Sequence, residues 1–229
     1  DLEIDEENQK ITDPNGREIS IKTTNIQATN GVIHAIDQVV LPELTDLNST
    51  FDEIANSSNH NTLEQALIDT ELDQVLDSGF FTVFAPTDAA IGNALDGLST
   101  DVKTNILLNH VINGNILSSD LNTDYYKTLA TEKITGNENP LDLYVNLNGG
   151  VTLNDNANVT TSDLETDLGT VHVVDAVIPM PDVTTFAIAD PTFSKLEEAL
   201  TRNDLQTDFV GILSEPNGSG LTPFTVFAP

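Results

Sequence analysis

The hexapeptide Phe81-Thr82-Val83-Phe84-Ala85-Pro86 occurs twice, returning letter for letter as Phe224-Thr225-Val226-Phe227-Ala228-Pro229. Two of its six residues are Phe in a chain that holds nine, so the recurrence is read as a true repeat. Phe and Val favour strands, and a central strand does not pass a proline. Thr87 and Asp88 then offer N-caps, and Ala89, Ala90, Ile91, Ala94 and Leu95 a short apolar face. The expectation is a buried strand that breaks at Ala-Pro and turns at once into a helix. The whole chain is expected to be a tandem array.

A second device also recurs. Gly31-Val32-Ile33-His34-Ala35-Ile36-Asp37, closed at Pro42, matches Gly169-Thr170-Val171-His172-Val173-Val174-Asp175, closed at Pro179; Gly31, His34 and Asp37 return 138 residues later. Ahead of the first hexapeptide the period turns helical, with Phe51, Ile54 and Ala55, then Leu63, Ala66 and Leu67, then Leu72, Val75 and Leu76. Phe186, Ile188, Ala189, Leu196, Ala199, Leu200 and Leu205 are the counterparts, with residues 215–220 as a surface insertion. Ser99 or Thr100 caps a further expected helix through Ile106, Leu107 and His110 to Val111, stopped at Gly114. Strands follow from 129 to 159, with Asn148-Gly149-Gly150 as a hairpin tip. In the N-terminal stretch Leu2 and Ile4 alternate, Asp13-Pro14-Asn15-Gly16 signals a turn, and Ile19 and Ile21 alternate again. A period near 140 residues is the size of a domain, too long for a solenoid unit. Residues 1–44 therefore read as the rear of one module, 45–181 as a whole module, and 182–229 as the front of a third. Pro179-Met180-Pro181 is the stiff link.

The charge balance narrows the partners. Against 37 acidic residues stand 8 basic ones, a net charge of −29. Phosphate backbones are repelled, which argues against nucleic acid, and no apolar run is long enough for direct membrane insertion. The absence of cysteine removes disulfides, a thiol nucleophile and cysteine-held zinc, and fits an exterior bacterial protein.

Candidate chemistry is sparse. His34 and His172 each precede an Asp by three residues, but on a strand i and i+3 face opposite sides, so a shared proton is disfavoured and a structural role, bonded to backbone, is expected. His110 shares a helical face with Ile106 and Leu107 and reads as a packed core residue. His60, in a Ser-Ser-Asn-His-Asn loop, reads as solvated. No Gly-x-Ser-x-Gly elbow and no phosphate-binding glycine loop occur, so no catalytic residue is assigned. The 154–158 loop lacks the Gly and Glu of a calcium-binding hand, so no metal and no cofactor is assigned.

With the hexapeptide running into Thr87-Asp88-Ala89-Ala90-Ile91, the Gly-x-x-His-x-x-Asp strand ending in proline, and Leu107-Leu108-Asn109-His110-Val111 between them, the sequence resembles the fasciclin (FAS1) family. The resemblance implies an α+β fold, an antiparallel β wedge or sandwich capped by short helices. It also implies secreted or cell-surface proteins acting in adhesion and matrix contact through tandem repeats, without catalytic residues. Asn109 stands where the family carries tyrosine beside His110. Asn113-Gly114-Asn115-Ile116-Leu117 resembles an Asn-x-Asp-Ile-Leu adhesive peptide, and Asp163-Leu164 lies where related modules carry Asp-Ile. The partner-binding candidates are therefore Asn109, His110, Asn113, Asn115, Ile116, Leu117, Asp163 and Leu164, on a helical cap and on the strand before His172. The structural motif is Phe81, Thr82, Val83, Phe84, Ala85 and Pro86 with His34 and His172. Partners implied are cell-surface or matrix proteins or glycans. Self-association of repeats into an extracellular filament or sheath is the alternative, and a small-molecule or lipid carrier a remote one.

Overall fold

A computed structural model describes residues 3–5, 8–14, 17–40, 47–132, 137–202, 207–214 and 224–228. Expectations placed on Leu2, the Asn15-Gly16 turn, Pro42, the 44–45 boundary, Leu205, the 215–220 insertion and Pro229 lie outside the described residues. The chain forms two compact units, Asp1–Leu47 and Asn48–Pro229.

The first unit is an antiparallel sheet of β1 (Glu3–Asp5), β2 (Lys10–Thr12), β3 (Glu18–Ala28) and β4 (Gly31–Ile36), in sequence order. The Thr29-Asn30 turn joins β3 to β4, pairing Ala28 with Gly31 and, after two bulges, Ile21 with Ile36. At the bulge between Thr23 and Ile26, Asn25 takes a left-handed backbone (φ 57°), which Asn tolerates better than most residues. Ile19 is buried, while Ile26, Val32, Ile33 and Ile36 are exposed.

The second unit opens with three short helices, α1 (Thr50–Ala55), α2 (Asn61–Asp69) and α3 (Asp73–Leu76). Ser49 and Asp52 close a reciprocal capping box on α1. The hexapeptide is β5 (Phe81–Pro86), and Thr87 caps α4 (Asp88–Ile91) by accepting the Ala90 N–H at 3.2 Å. Then come α5 (Thr100–Leu108), β6 (Val111–Asn113), β7 (Asp124–Thr131), β8 (Pro140–Asn146), β9 (Thr152–Leu153), β10 (Ala157–Thr166) and β11 (Gly169–Val174). Gly149 and Gly150, both at positive φ, make the expected turn between β8 and β9. Strands β10-β11-β5-β6-β7-β8-β9 close into a barrel, and the ladder between β5 and β11 is parallel. The chain is thus α+β, and the seven strands of the second unit form a closed ring that is not wholly antiparallel. The expected helix up to Val111 ends at Leu108. Val111 and Ile112 instead extend beside β5, because the β-branched pair fills a sheet position better than another helical turn.

Strand alternation divides β5 between two cores. Val83 and Ala85 face Ile54, Leu63, Leu67, Leu76, Ile91 and Leu107 of the helical layer. Phe84 faces into the barrel with Ile112, Leu143, Val145, Leu153 and Val174. Gly169 is required by this pairing: a Cβ there would stand 1.9 Å from the Phe81 carbonyl oxygen, and its φ is +146°.

After the barrel, α6 (Val183–Ala189), a 3-10 turn at Pro191–Phe193, α7 (Ser194–Leu200) and α8 (Phe209–Leu213) belong to the same compact unit. Phe186 meets the edge of Tyr125 at 5.4 Å, and the Tyr125 hydroxyl donates to Asp190 at 2.8 Å. Residues on either side of the 181–182 boundary are thus in contact within the one unit. Residues 224–228, the second hexapeptide copy, have no regular secondary structure, and Phe227 is 92% exposed.

Candidate partner-contact site

The two stretches singled out as adhesive, 113–117 and 163–164, lie far apart in sequence and are joined in space. Ser118 donates both its N–H (2.7 Å) and its hydroxyl to the Asp163 carboxylate. These bonds hold the Asp163 carboxyl below its ordinary range. The Thr82 hydroxyl donates to the Gly114 carbonyl at 2.8 Å and accepts the Ile116 N–H at 2.9 Å. Thr170 Oγ1 donates to Asn115 Oδ1. Three strands of the barrel, β5, β10 and β11, thus pin the loop.

His172 ties the arrangement together. Its ring stacks 5.5 Å from that of Phe84, its register partner on the parallel ladder, and it is fully buried. Nδ1 accepts the Asp163 N–H at 3.2 Å, which leaves Nε2 protonated to donate to the Ile116 carbonyl at 3.0 Å. Burial lowers its pKa, so the ring is neutral. Asp163 sits in a left-handed backbone (φ 62°) at the bulge of β10, which turns its N–H toward the ring. The acid three residues after the histidine, Asp175, is instead bound to the Asn158 N–H (2.7 Å) and side-chain amide (2.9 Å). No acid–base pair forms between His172 and Asp175.

Asn109 and His110 need correcting as contact residues: both are buried. Asn109 ends α5, donates to the Pro179 carbonyl at 3.0 Å and is joined by the Thr128 hydroxyl at 3.4 Å. His110 donates from Nδ1 to the Ile106 carbonyl and accepts the Ile178 N–H on Nε2, both at 2.8 Å. Burial pushes its pKa down to about 4. Its helical face did announce the core position, since Ile106 and Leu107 precede it. The expected helical cap is also absent at 113–117: Asn113 ends β6 and the rest is loop. Asn113 and Asn115 are exposed, and Ile116, Leu117, Asp163 and Leu164 are half-buried. His60, expected in solvent, is buried: its Nδ1 lies 2.7 Å from the Ser57 hydroxyl, and the loop is drawn against the end of β5 where Asp88 donates its N–H to the Asn59 carbonyl. His34, expected to be bonded to backbone, is exposed, because its sheet has no layer corresponding to the 113–118 loop among the described residues.

Among the described residues no group of three or more His, Asp or Glu side chains is placed to hold a metal, and no helix is long and apolar enough to cross a membrane. In the 154–158 loop, Asn154 is buried and accepts the Tyr144 N–H on its Oδ1 at 2.8 Å, a turn-forming role.

Comparison with known proteins places this arrangement. The Fasciclin domain profile matches residues 58–181, a little over half of the chain. Uncharacterized protein sll1735 of Synechocystis sp. is 35% identical over 136 residues, covering 56% of this chain and 96% of that protein. The transforming growth factor-beta-induced protein ig-h3 of Sus scrofa is 27% identical over 218 residues, covering 94% of this chain, and the chain spans 29% of its length. Among solved structures, a FAS1 domain pair from the insect cell adhesion molecule fasciclin I aligns with a TM-score of 0.46 at 17% identity, over 78% of this chain and 66% of that one. On the profile match and the cyanobacterial relative, the chain belongs to the fasciclin domain family.

Proposed function

We propose that the protein is a non-enzymatic adhesion or matrix-contact protein of the cell exterior that works through serial fasciclin repeats. Fasciclin domains are cell-adhesion modules that mediate protein–protein interactions, and secreted or surface-anchored placement comes with that role. The observation that carries the reading is the pinned 113–118 loop. Thr82, Thr170, His172 and Asp163 spend their polar groups on holding it, so Asn113 and Asn115 are offered to a partner on a rigid frame. Pre-organisation of this kind lowers the ordering cost of contact.

Serial arrangement is supported by the 138-residue recurrence of the Gly-x-x-His-x-x-Asp hairpin and by the pig relative's alignment on both sides of 58–181. In this reading 1–44 is the rear of one repeat, 45–181 a complete repeat and 182–229 the front of another. Repeats in series raise effective concentration and turn weak single contacts into firm attachment. The test is binding of chain-coated beads to matrix proteins and surface glycans as coating density rises. Binding should climb more steeply than density and fall at least about tenfold for Asn113→Arg at unchanged melting temperature, a loss of about 1.4 kcal/mol per contact. Binding indifferent to that change removes the loop from the proposal. Assembly of copies into a filament or sheath is the second reading, favoured by the edge of β4, which has no strand beside it among the described residues.

A further inference from the structure

Asn-Gly pairs lie among the described residues at 30–31, 113–114 and 148–149, and the fold treats them differently. Asparagine is chemically labile, and a following glycine leaves it most exposed to loss of its side-chain amide. Glycine lacks the Cβ that would hinder its nitrogen from approaching the preceding side chain. The reaction needs that nitrogen free to swing onto the Asn Cγ. A backbone held in a ladder is therefore shielded, and an open turn is not.

At 113–114 the backbone is held on both sides. Asn113 ends β6 opposite Phe81. The Gly114 N–H donates to the Phe80 carbonyl at 2.8 Å, and the Gly114 carbonyl accepts the Thr82 hydroxyl at 2.8 Å. At 30–31 the two-residue turn closes on the ladder pair Ala28↔Gly31, so the glycine is already the first residue of β4. At 148–149 such restraints are missing. Asn148, Gly149 and Gly150 are exposed, and among the described residues neither the Gly149 N–H nor the Asn148 side-chain amide makes a hydrogen bond. A Cβ at Gly149 or Gly150 would meet nothing within 4 Å, so the turn stands in open space. The Asn148 N–H donates to Asn146 Oδ1 at 2.9 Å, which fixes the nitrogen of Asn148 and leaves that of Gly149 free.

We infer that Asn148 is a site of spontaneous covalent modification, through a succinimide to aspartate and isoaspartate. The Gly149 nitrogen attacks Asn148 Cγ and gives up its proton, and the new nitrogen–carbon bond closes a cyclic imide. The Cγ–Nδ2 bond breaks, and the amide group leaves as ammonia with that proton. Water then opens the imide at either carbonyl, and the carboxyl formed there ionises. Water enters, ammonia departs, and nothing is oxidised or reduced. The turn gains a negative charge, and the isoaspartyl product also carries an added methylene in the backbone between β8 and β9. Asn113, exposed beside the pinned loop, keeps its amide because Phe80 and Thr82 hold the peptide that would have to turn.

Ageing the full chain at mildly alkaline pH, with and without guanidinium chloride, tests this. Peptide mass mapping follows each Asn, and labelling by an isoaspartyl methyltransferase identifies the product. The denatured rates take up the influence of neighbouring residues, so the ratio of denatured to folded rate reports the fold alone. Folding should slow Asn148 by less than about threefold and Asn113 and Asn30 by at least about tenfold, because a laddered N–H reacts only through local opening. Isoaspartate should accumulate first at 148 among these three positions. Slowing of Asn148 as great as that of Asn113 and Asn30 overturns the inference, as does folded chain that yields no product at 148 while the denatured chain does.

Discussion

Hairpins β3–β4 and β10–β11 share register, bulges and a terminal clamp, yet differ in what covers them. In both, the Asp after the histidine accepts the N–H of the residue opposite on one side of the ladder (Ser20 to Asp37 at 2.9 Å, Asn158 to Asp175 at 2.7 Å) and returns its own N–H to the same residue's carbonyl at 3.1 Å. Val171 is 1% exposed in the barrel, whereas Ile33 at the matching position is 59% exposed. Local sequence builds the hairpin; a strand and a helical layer supplied by remote chain turn it into a core. The two hexapeptide copies teach the same lesson. Phe84 is wholly buried and Phe227 almost wholly exposed, with identical neighbours in sequence.

The comparison breaks most readily at the aromatic pair. Phe84→Ala should cost the barrel about 3–5 kcal/mol, and Phe227→Ala should change stability by no more than about 0.5 kcal/mol, measured by urea unfolding. Equal losses would mean that 224–228 is as buried as β5.

Acid should separate the two units next. His110 is neutral and buried, with a folded pKa near 4 against 6.5 unperturbed, so the unfolded chain binds the proton first. Its contribution is complete above about pH 6.5, shrinks as pH falls, and is gone near pH 4, a loss of about 3 kcal/mol. His34 is the sole histidine in residues 3–40 and is exposed, so the first unit lacks a buried histidine. Amide exchange read for each unit from pH 7 to 5 should show the barrel weakening along this slope, and His110→Gln should remove that part of it.

The glycines sharpen the contrast further. Gly169→Ala puts a methyl group against the Phe81 backbone at a positive φ and should cost about 2–3 kcal/mol. Gly31→Ala meets open space and should be neutral within about 0.5 kcal/mol in monomeric protein. The smallest effect concerns the shared clamp: Asp37→Ala and Asp175→Ala should each lower the melting temperature slightly and by similar amounts, because each removes the carboxylate that accepts the opposite residue's N–H together with one further side-chain partner, Lys22 or Asn158. A marked inequality in calorimetry would show that the surroundings, more than the hairpin, set the clamp's strength.

Much of this was legible in residue order. Thr87 caps α4 and Pro86 ends β5 because capping and proline stereochemistry act over a few residues. The i and i+3 positions of His172 and Asp175 already argued against a shared proton. Other features were illegible for a physical reason. Asn109, polar and at a helix end, reads as surface until Pro179 arrives from 70 residues away to accept its amide hydrogen. His60 lies in a loop of polar residues and is buried only because Asp88 and the end of β5 close over it.

Taken alone, residue order determined the strand at 81–86 and the helix capped by Thr87, the glycine turn at 149–150 and the recurrence of the hairpin, since all of these follow from interactions between near neighbours and from internal repetition. The tertiary structure decided that β5 and β11 run parallel, that the strands close into a barrel, and that the 113–118 loop meets Asp163. Those outcomes turn on which remote segments share a hydrogen-bond ladder, and local periodicity carries no record of that choice.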